Sequence, residues 1–123
     1  MTFRYTRHTK NLEILSRFYV DIIGLCILGE FKNHNNYNGV FLGYEGADWH
    51  IEFTESSHNT TGKPDPDDLL VFYPRSAEEF NQILLRIRKN HIPELKARNP
   101  YWNQHGIKIA DPDGFGIIIN RGN

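Results

Sequence analysis

The stretch Asn11-Leu12-Glu13-Ile14-Leu15-Ser16-Arg17-Phe18-Tyr19-Val20-Asp21-Ile22-Ile23-Gly24-Leu25 decides the fold of this chain. It predicts an amphipathic helix, because its apolar residues recur every three or four positions and so line one side of the helix. Asn11 is a favourable N-cap, and Gly24 can adopt the left-handed conformation in which many helices end. The apolar stripe consists of Leu12, Leu15, Phe18, Tyr19, Ile22 and Ile23.

A second amphipathic helix is predicted in the other half of the chain. Ser76 and Glu79 have the spacing of a capping box, and the helix can end at Asn90. Its apolar stripe consists of Phe80, Ile83, Leu84 and Ile87. Both helices therefore have one apolar side to pack against a sheet.

Short segments rich in β-branched and aromatic residues surround both helices. Strands are predicted over residues 3–8, 25–32, 39–44, 49–54, 69–73, 107–110 and 115–120, with a weaker strand over 94–97. Each half then has the order strand, helix, strand, strand, strand. The polar residues between the halves predict a first module over about 1–56, a linker over about 57–67 and a second module over about 68–123.

Neither module alone can cover both faces of its sheet. We therefore expect an α+β fold in which two paired βαβββ modules form a cup-shaped mixed sheet within a single domain, residues 1–123.

Composition limits the partners of the chain. At 123 residues it has room for one domain or two small halves that share a core. Its formal charge of −1 leaves no basic surplus for nucleic acid or an anionic membrane surface. Cys26, the single cysteine, lies in an apolar run that predicts a buried thiol in a reducing compartment. With no apolar signal core or long apolar run, we expect a cytoplasmic protein without nucleic-acid or membrane partners.

Several segments together resemble the vicinal oxygen chelate superfamily, which includes glyoxalase I, bleomycin-resistance proteins and extradiol dioxygenases. Residues 11–25 resemble its opening D-L-x-x-S-x-x-F-Y-x-x-x-L-G-L, and Trp49-His50-Ile51-Glu52-Phe53-Thr54 resembles its fourth strand. Asp111-Pro112-Asp113-Gly114-Phe115 resembles the turn before its last strand. Asn99-Pro100-Tyr101-Trp102 before that turn is similar to the YycE-like group of the superfamily.

The resemblance implies four positions for metal ligands, on the first, fourth, fifth and last strands. Counting from the matched segments, these positions hold Arg4 (or Phe3), Glu52, Leu69 and Ile118. Only Glu52 can ligate a divalent ion, and a guanidinium repels one. We therefore expect no metal and no other cofactor, and we expect Arg4 to pair with Glu52 where the ion would lie. A divalent metal is the alternative if this register is wrong.

Strand alternation assigns further candidates to the same face. If Glu52 faces the cup, His50 does too, whereas Trp49, Ile51 and Phe53 face the helix. His50 is then either a ligand contact or general base, or a hydrogen-bonded strand histidine. On the register that places Arg4 beside Glu52, His8 lies too far along its strand to share an ion with His50.

The segment Asn99 to His105 is predicted to be an aromatic loop. Tyr101 and Trp102 either cover a flat ligand or fill the open end of the cup. The predicted ligand-binding set is therefore Arg4, His50, Glu52, Tyr101 and Trp102, and His50 and Glu52 are the best candidates for a catalytic role.

The resemblance implies a protein that binds, or binds and converts, a small organic molecule in the cup without the usual metal. One alternative is a metal-dependent isomerase, lyase or dioxygenase of the same superfamily. Another is a non-catalytic module that binds a partner and has a filled cup. Because many members of the superfamily dimerise, a homodimer is also implied.

Overall fold

The computed structural model describes residues 1–122 and has the predicted α+β architecture. The chain divides into two compact units, one over Met1–Gly62 and one that begins at Lys63. The first unit contains a four-stranded sheet and the second a three-stranded sheet. None of the described helices has the length and apolar character needed to cross a bilayer.

The first unit has the predicted order strand, helix, strand, strand, strand. Its elements are β1 (Phe3–His8), α1 (Leu12–Phe18) with a wider π-helical turn (Tyr19–Ile23), β2 (Cys26–His34), β3 (Tyr37–Gly43) and β4 (Trp49–Glu55). The strands lie in the order β1-β4-β3-β2, with β1 parallel to β4 and the other neighbours antiparallel. Strand β4 is therefore central, and β1 and β2 are the edges.

The predicted helix over 11–23 is confirmed together with both of its ends. The Asn11 side chain accepts a hydrogen bond from the Ile14 N–H at 3.1 Å, which caps the first turn. Gly24 ends the helix with a φ of 94°. The N–H groups of Gly24 and Leu25 both donate to the Tyr19 carbonyl, at 3.1 and 3.0 Å, so the last turn is wider than an α-helical one.

The core of the first unit lies between the helix and one side of the sheet. Phe53 is fully buried, and its ring lies 5.0 Å from the ring of Tyr19. The guanidinium carbon of Arg7 lies 5.0 Å from the centre of the Phe53 ring. The buried apolar side chains of this unit are Leu15, Tyr19, Ile22, Ile23, Leu25, Val40, Leu42, Ile51 and Phe53.

The second unit also pairs its first and last strands in parallel. Its elements are β5 (Leu69–Phe72), α2 (Ala77–Lys89), α3 (Pro100–His105), β6 (Gly106–Ala110) and β7 (Gly116–Asn120). The strand order is β5-β7-β6, with β5 parallel and β6 antiparallel to β7. The predicted cap of α2 is confirmed, since the Ser76 hydroxyl accepts from the Glu79 N–H at 3.1 Å.

The weak strand predicted over 94–97 is reduced to a single bridge between Leu95 and Lys108. The side chain of Asn103 accepts from the Ala97 N–H at 2.8 Å and donates to the Ala97 carbonyl at 2.9 Å. These two bonds take the place of ladder bonds to a neighbouring strand, so the prediction of a strand here is wrong.

Two other expectations are corrected by the structure. The predicted aromatic loop is the short helix α3, because Asn99 accepts from the Tyr101 N–H at 3.0 Å and Pro100 occupies the first turn. The predicted buried thiol of Cys26 is exposed, because β2 is an edge strand and Cys26 is its first residue.

Candidate functional site

One side of the first sheet, facing away from α1, carries a cluster of polar and aromatic side chains. We call it the polar face and define it by Arg4 and Thr6 on β1, Phe41 on β3, and His50 and Glu52 on β4. In the sheet Arg4 lies opposite His50, and Thr6 lies opposite Glu52. Phe41 is the neighbour of Glu52 on the other side.

The side chains of the polar face are joined by direct contacts. Arg4 Nε donates to His50 Nε2 at 2.7 Å, and the Thr6 hydroxyl donates to Glu52 Oε1 at 2.9 Å. Arg4 Nη1 lies 3.7 Å from the same Glu52 oxygen. The guanidinium carbon of Arg4 lies 4.8 Å from the centre of the Phe41 ring, and the rings of Phe41 and His50 are 5.9 Å apart.

These contacts define the chemistry that the polar face can offer. Because His50 Nε2 accepts a hydrogen bond, the neutral ring carries its proton on Nδ1. The Arg4 side chain is 49% exposed, whereas that of Glu52 is 12% exposed. Nη2 of Arg4 has no partner among residues 1–122, so it can donate to solvent or to a ligand.

The observed register differs from the one expected from the sequence. Arg4 does not lie directly beside Glu52 but two positions away along the strand, so their ion pair is diagonal. His8 lies opposite Thr54, and its Nε2 is 3.0 Å from the Ser56 hydroxyl. His8 therefore belongs to the far end of β1 and takes no part in the polar face.

The second unit holds the two other positions at which the resemblance implies ligands. Leu69 lies beside Gly116, and Ile118, which is fully buried, lies opposite Lys108. Lys108 is itself 9% exposed, and its Nζ donates to the Pro66 carbonyl at 3.1 Å. This part of the sheet thus presents apolar side chains and one buried ammonium.

Tyr101 and Trp102 lie on α3 in the second unit. Their rings meet edge to face at 4.9 Å, and Tyr101 also lies 4.2 Å from the His105 ring. Tyr101 is 52% exposed and Trp102 is half-buried.

Arg98 forms the clearest ion-pair cluster of the second unit. Its Nη2 lies 2.7 Å from Asp65 Oδ1 and 2.6 Å from Asp67 Oδ2. The Asp67 N–H, which donates to Asp65 Oδ1 at 2.8 Å, and the Arg98 charge hold the pKa of Asp65 below its ordinary value. The two carboxylates raise the pKa of Arg98. All three side chains are exposed, so the cluster mainly orients the start of this unit.

Sequence reasoning missed Thr6, Phe41 and Lys108. Strand alternation places Thr6 on the same face as Arg4, but nothing in the sequence marked it as the partner of Glu52. Lys108 interrupts the apolar run Ile107-Lys108-Ile109, which marks it as facing away from α2. Phe41 carries no signal of its own, because its place beside Arg4 depends on the pairing of β3 with β4. Within neither unit, over residues 1–122, do three His, Cys, Asp or Glu side chains lie close enough to hold a metal ion.

Comparison with known proteins gives matches along almost the whole chain. Residues 3–54 match the family model of the YycE-like N-terminal domain, and residues 67–121 match that of the YycE-like C-terminal domain. The uncharacterized protein YycE of Bacillus subtilis (strain 168) is 42% identical in an alignment 119 residues long, which covers 94% of this chain and 84% of that protein.

Solved structures agree with these matches. A YycE protein of unknown function from Bacillus subtilis aligns with a TM-score of 0.88 at 38% identity, over 99% of this chain and 90% of the other. TnmS3, an antibiotic binding protein from Streptomyces sp. CB03234, aligns with a TM-score of 0.70 at 17% identity, over 100% and 96%.

The fosfomycin resistance protein FosX of Listeria monocytogenes, solved with Mn(II) and a dihydroxypropylphosphonic acid, aligns with a TM-score of 0.71 at 17% identity, over 98% and 90%. At this identity FosX and TnmS3 show a shared fold alone. The two family models and the B. subtilis relative show more: this chain belongs to the YycE-like family, within the vicinal oxygen chelate superfamily of glyoxalases and bleomycin- and fosfomycin-resistance proteins.

Proposed function

We propose that this protein binds a small organic molecule at the polar face of the first sheet, and that it does so without a divalent metal. Arg4 and Glu52 supply the polar anchor, and His50 is a second contact or an acid–base group. Tyr101 and Trp102 remain predicted ligand contacts. A cytoplasmic location and a homodimer also remain predictions. Turnover of the bound molecule is a further step that the proposal does not require.

The observation that carries this proposal is that Arg4 already contacts the atoms of His50 and Glu52 that could bind a metal. A metal ion needs several lone pairs that point at one centre, and the polar face could offer those of a neutral imidazole and a carboxylate. Here the Nε2 lone pair of His50 accepts from Arg4, and Glu52 Oε1 accepts from Thr6 beside the same guanidinium. The residues of the polar face therefore do not fit a divalent ion, since the positive charge of Arg4 lies beside the imidazole and the carboxylate that would have to bind it.

The second unit supports the same interpretation. Leu69 and Ile118 occupy the two remaining positions at which metal-binding members of the superfamily carry ligands. A hydrocarbon side chain offers no lone pair to a metal ion, so neither residue can replace a lost ligand.

The same contacts favour a ligand with an oxygen that accepts hydrogen bonds. The half-exposed Arg4 is held in place by His50, Glu52 and the Phe41 ring, so little side-chain entropy is lost when Nη2 binds a carboxylate or carbonyl oxygen. The Phe41 ring offers an adjacent apolar surface for the body of the ligand.

Two proteins of this fold are described with small molecules. TnmS3 is named as an antibiotic binding protein, and FosX was solved with Mn(II) and an organic acid. The side chains of the polar face favour the route of a binding protein for this chain, because they anchor a ligand by hydrogen bonds rather than by a metal.

The test is a thermal-shift screen of the chelator-treated protein against small aromatic and aliphatic compounds, half of them carboxylates. We expect compounds that raise the melting temperature in the presence of EDTA. Arg4→Met should weaken the affinity of such a compound about tenfold or more, a loss of roughly 1.4 kcal/mol, as expected when a charge-assisted hydrogen bond is removed.

Arg88→Met is the matched control, because Arg88 is an exposed arginine of α2 that pairs with Glu94 in the other unit. It should leave the affinity unchanged. Compounds that bind only after Mn²⁺, Ni²⁺ or Zn²⁺ is added would favour a metal-dependent enzyme instead. A screen in which no compound binds under either condition would favour a module that binds a partner.

A further inference from the structure

We infer that Lys108 is an anion-binding residue of the second unit, whose ammonium binds a carboxylate or another anionic oxygen of a small ligand. This inference is independent of the polar face, because it concerns a different unit and different contacts.

The path of the Lys108 side chain is fixed by its neighbours. It starts on β6 opposite Ile118 and crosses β7 at Gly116. A Cβ placed on Gly116 would lie 3.1 Å from Lys108 Cε and 2.6 Å from the Leu69 side chain, so a larger residue there would make both side chains shift. Nζ then reaches the Pro66 carbonyl, at 3.1 Å. The side chain of Lys108 thus lies directly over Gly116.

Lys108 is largely buried, and its ammonium makes fewer hydrogen bonds to the protein than it can. Lys108 is 9% exposed, and an ammonium has three N–H donors. Among residues 1–122 the Pro66 carbonyl is its one hydrogen-bond acceptor, and no carboxylate forms an ion pair with it. Burying an ammonium that lacks acceptors destabilises a protein, because the lost hydration is not replaced.

The acidic residues that flank the Pro66 acceptor in the sequence do not neutralise this charge. Asp65 and Asp67 flank Pro66, but both contact Arg98. An arginine therefore engages the carboxylates that flank the Pro66 acceptor, and Lys108 is left with a neutral carbonyl.

A purely structural role would be served better by an apolar side chain. The neighbours Leu69, Gly116 and Ile118 would accommodate a methionine of similar length without an unsatisfied charge. A buried cation kept among apolar residues is instead what an anion-binding site requires, because the low polarity strengthens its attraction for a negative oxygen. An anionic ligand would supply the acceptors that Nζ lacks.

The experiment follows the lysine signals of the full-length protein by NMR. The ¹Hε–¹³Cε signal of Lys108 is assigned as the one missing from Lys108→Met, and that of the exposed Lys96 from Lys96→Met. The probes are benzoate and inorganic phosphate, with benzamide as the uncharged match of benzoate and sodium chloride as the control for ionic strength. We expect benzoate, phosphate or both to shift the Lys108 signal in a saturable way, and benzamide and chloride to leave it in place.

Stability provides the second readout. Lys108→Met should keep or raise the melting temperature, and it should abolish the stabilisation by benzoate or phosphate, whereas Lys96→Met should retain it. The inference is overturned if the Lys108 signal moves no more than the Lys96 signal with either anion. It is also overturned if Lys108→Met melts well below the wild type, since Lys108 would then be a structural residue that holds Pro66.

Discussion

Replacing Phe53 with alanine is expected to lower the free energy of unfolding by about 3–5 kcal/mol, which is the usual cost of truncating a fully buried phenylalanine. Phe53 has no exposed surface, and its ring is in contact with Tyr19 from the helical segment and with Arg7 from β1. The substitution removes the side chain through which β4 contacts both the helical segment and β1. The cavity left behind cannot collapse easily, because β4 is bonded to strands on both edges.

Urea denaturation of wild type and Phe53→Ala, followed by circular dichroism, measures this loss. Phe3→Ala is the matched control, because Phe3 lies in the neighbouring strand and is 63% exposed. It should change the stability by less than about 1 kcal/mol, as surface substitutions usually do. A loss below about 1 kcal/mol for Phe53→Ala would contradict the packing of the first unit described above.

Replacing Arg4 with histidine is expected to raise the metal affinity well above that of the natural chain. The substitution removes the guanidinium and places a second imidazole directly opposite His50, on the face that also carries Glu52. Three donors would then face one centre, as in sites that bind zinc with three protein ligands and a water. We expect zinc to bind the variant at least about a hundredfold more tightly than the wild type, a gain of roughly 2.7 kcal/mol.

Equilibrium dialysis with Zn²⁺ at neutral pH measures this gain. Arg17→His adds an imidazole to α1 next to Glu13 and should gain little, which separates the effect of position from that of an extra histidine. Arg4→Met removes the charge without adding a donor and should remain far weaker than Arg4→His. If Arg4→His binds zinc no better than the wild type, the guanidinium is not what keeps the ion away.

The sequence predicts the fold well because the decisive signals are local. The apolar period over residues 11–23, the caps at Asn11 and Ser76 and the turn at Gly24 each depend on residues a few positions apart. The same is true of the two-residue alternation, which places Arg4 and Thr6 on one face of β1, and His50 and Glu52 on one face of β4.

The contacts within the candidate site were less accessible from the sequence. Strands β1 and β4 are parallel neighbours in the sheet, but α1, β2 and β3 lie between them in the sequence. No tight turn therefore fixes their register. A shift of two residues keeps every side chain on its face but changes its partner. For this reason the pairing of Arg4 with His50, and of Thr6 with Glu52, emerged only from the structure.

Lys108 shows the same limit in the second unit. Alternation predicts the face on which it lies, but its burial depends on the glycine at position 116 of a neighbouring strand and on the carbonyl of Pro66. The helix α3 was missed for a different reason, since six residues are too few to show a helical period.

The central claim is that Arg4 holds the place, and engages the donors, that a divalent ion would need. The most direct measurement is the metal content of the wild-type protein after dialysis against Mn²⁺, Fe²⁺, Ni²⁺ and Zn²⁺ in turn, followed by anomalous diffraction from crystals of any loaded form. The account predicts far less than one ion per chain and no anomalous peak beside Glu52. One ion per chain, with its anomalous peak within bonding distance of Glu52 and His50, would contradict it.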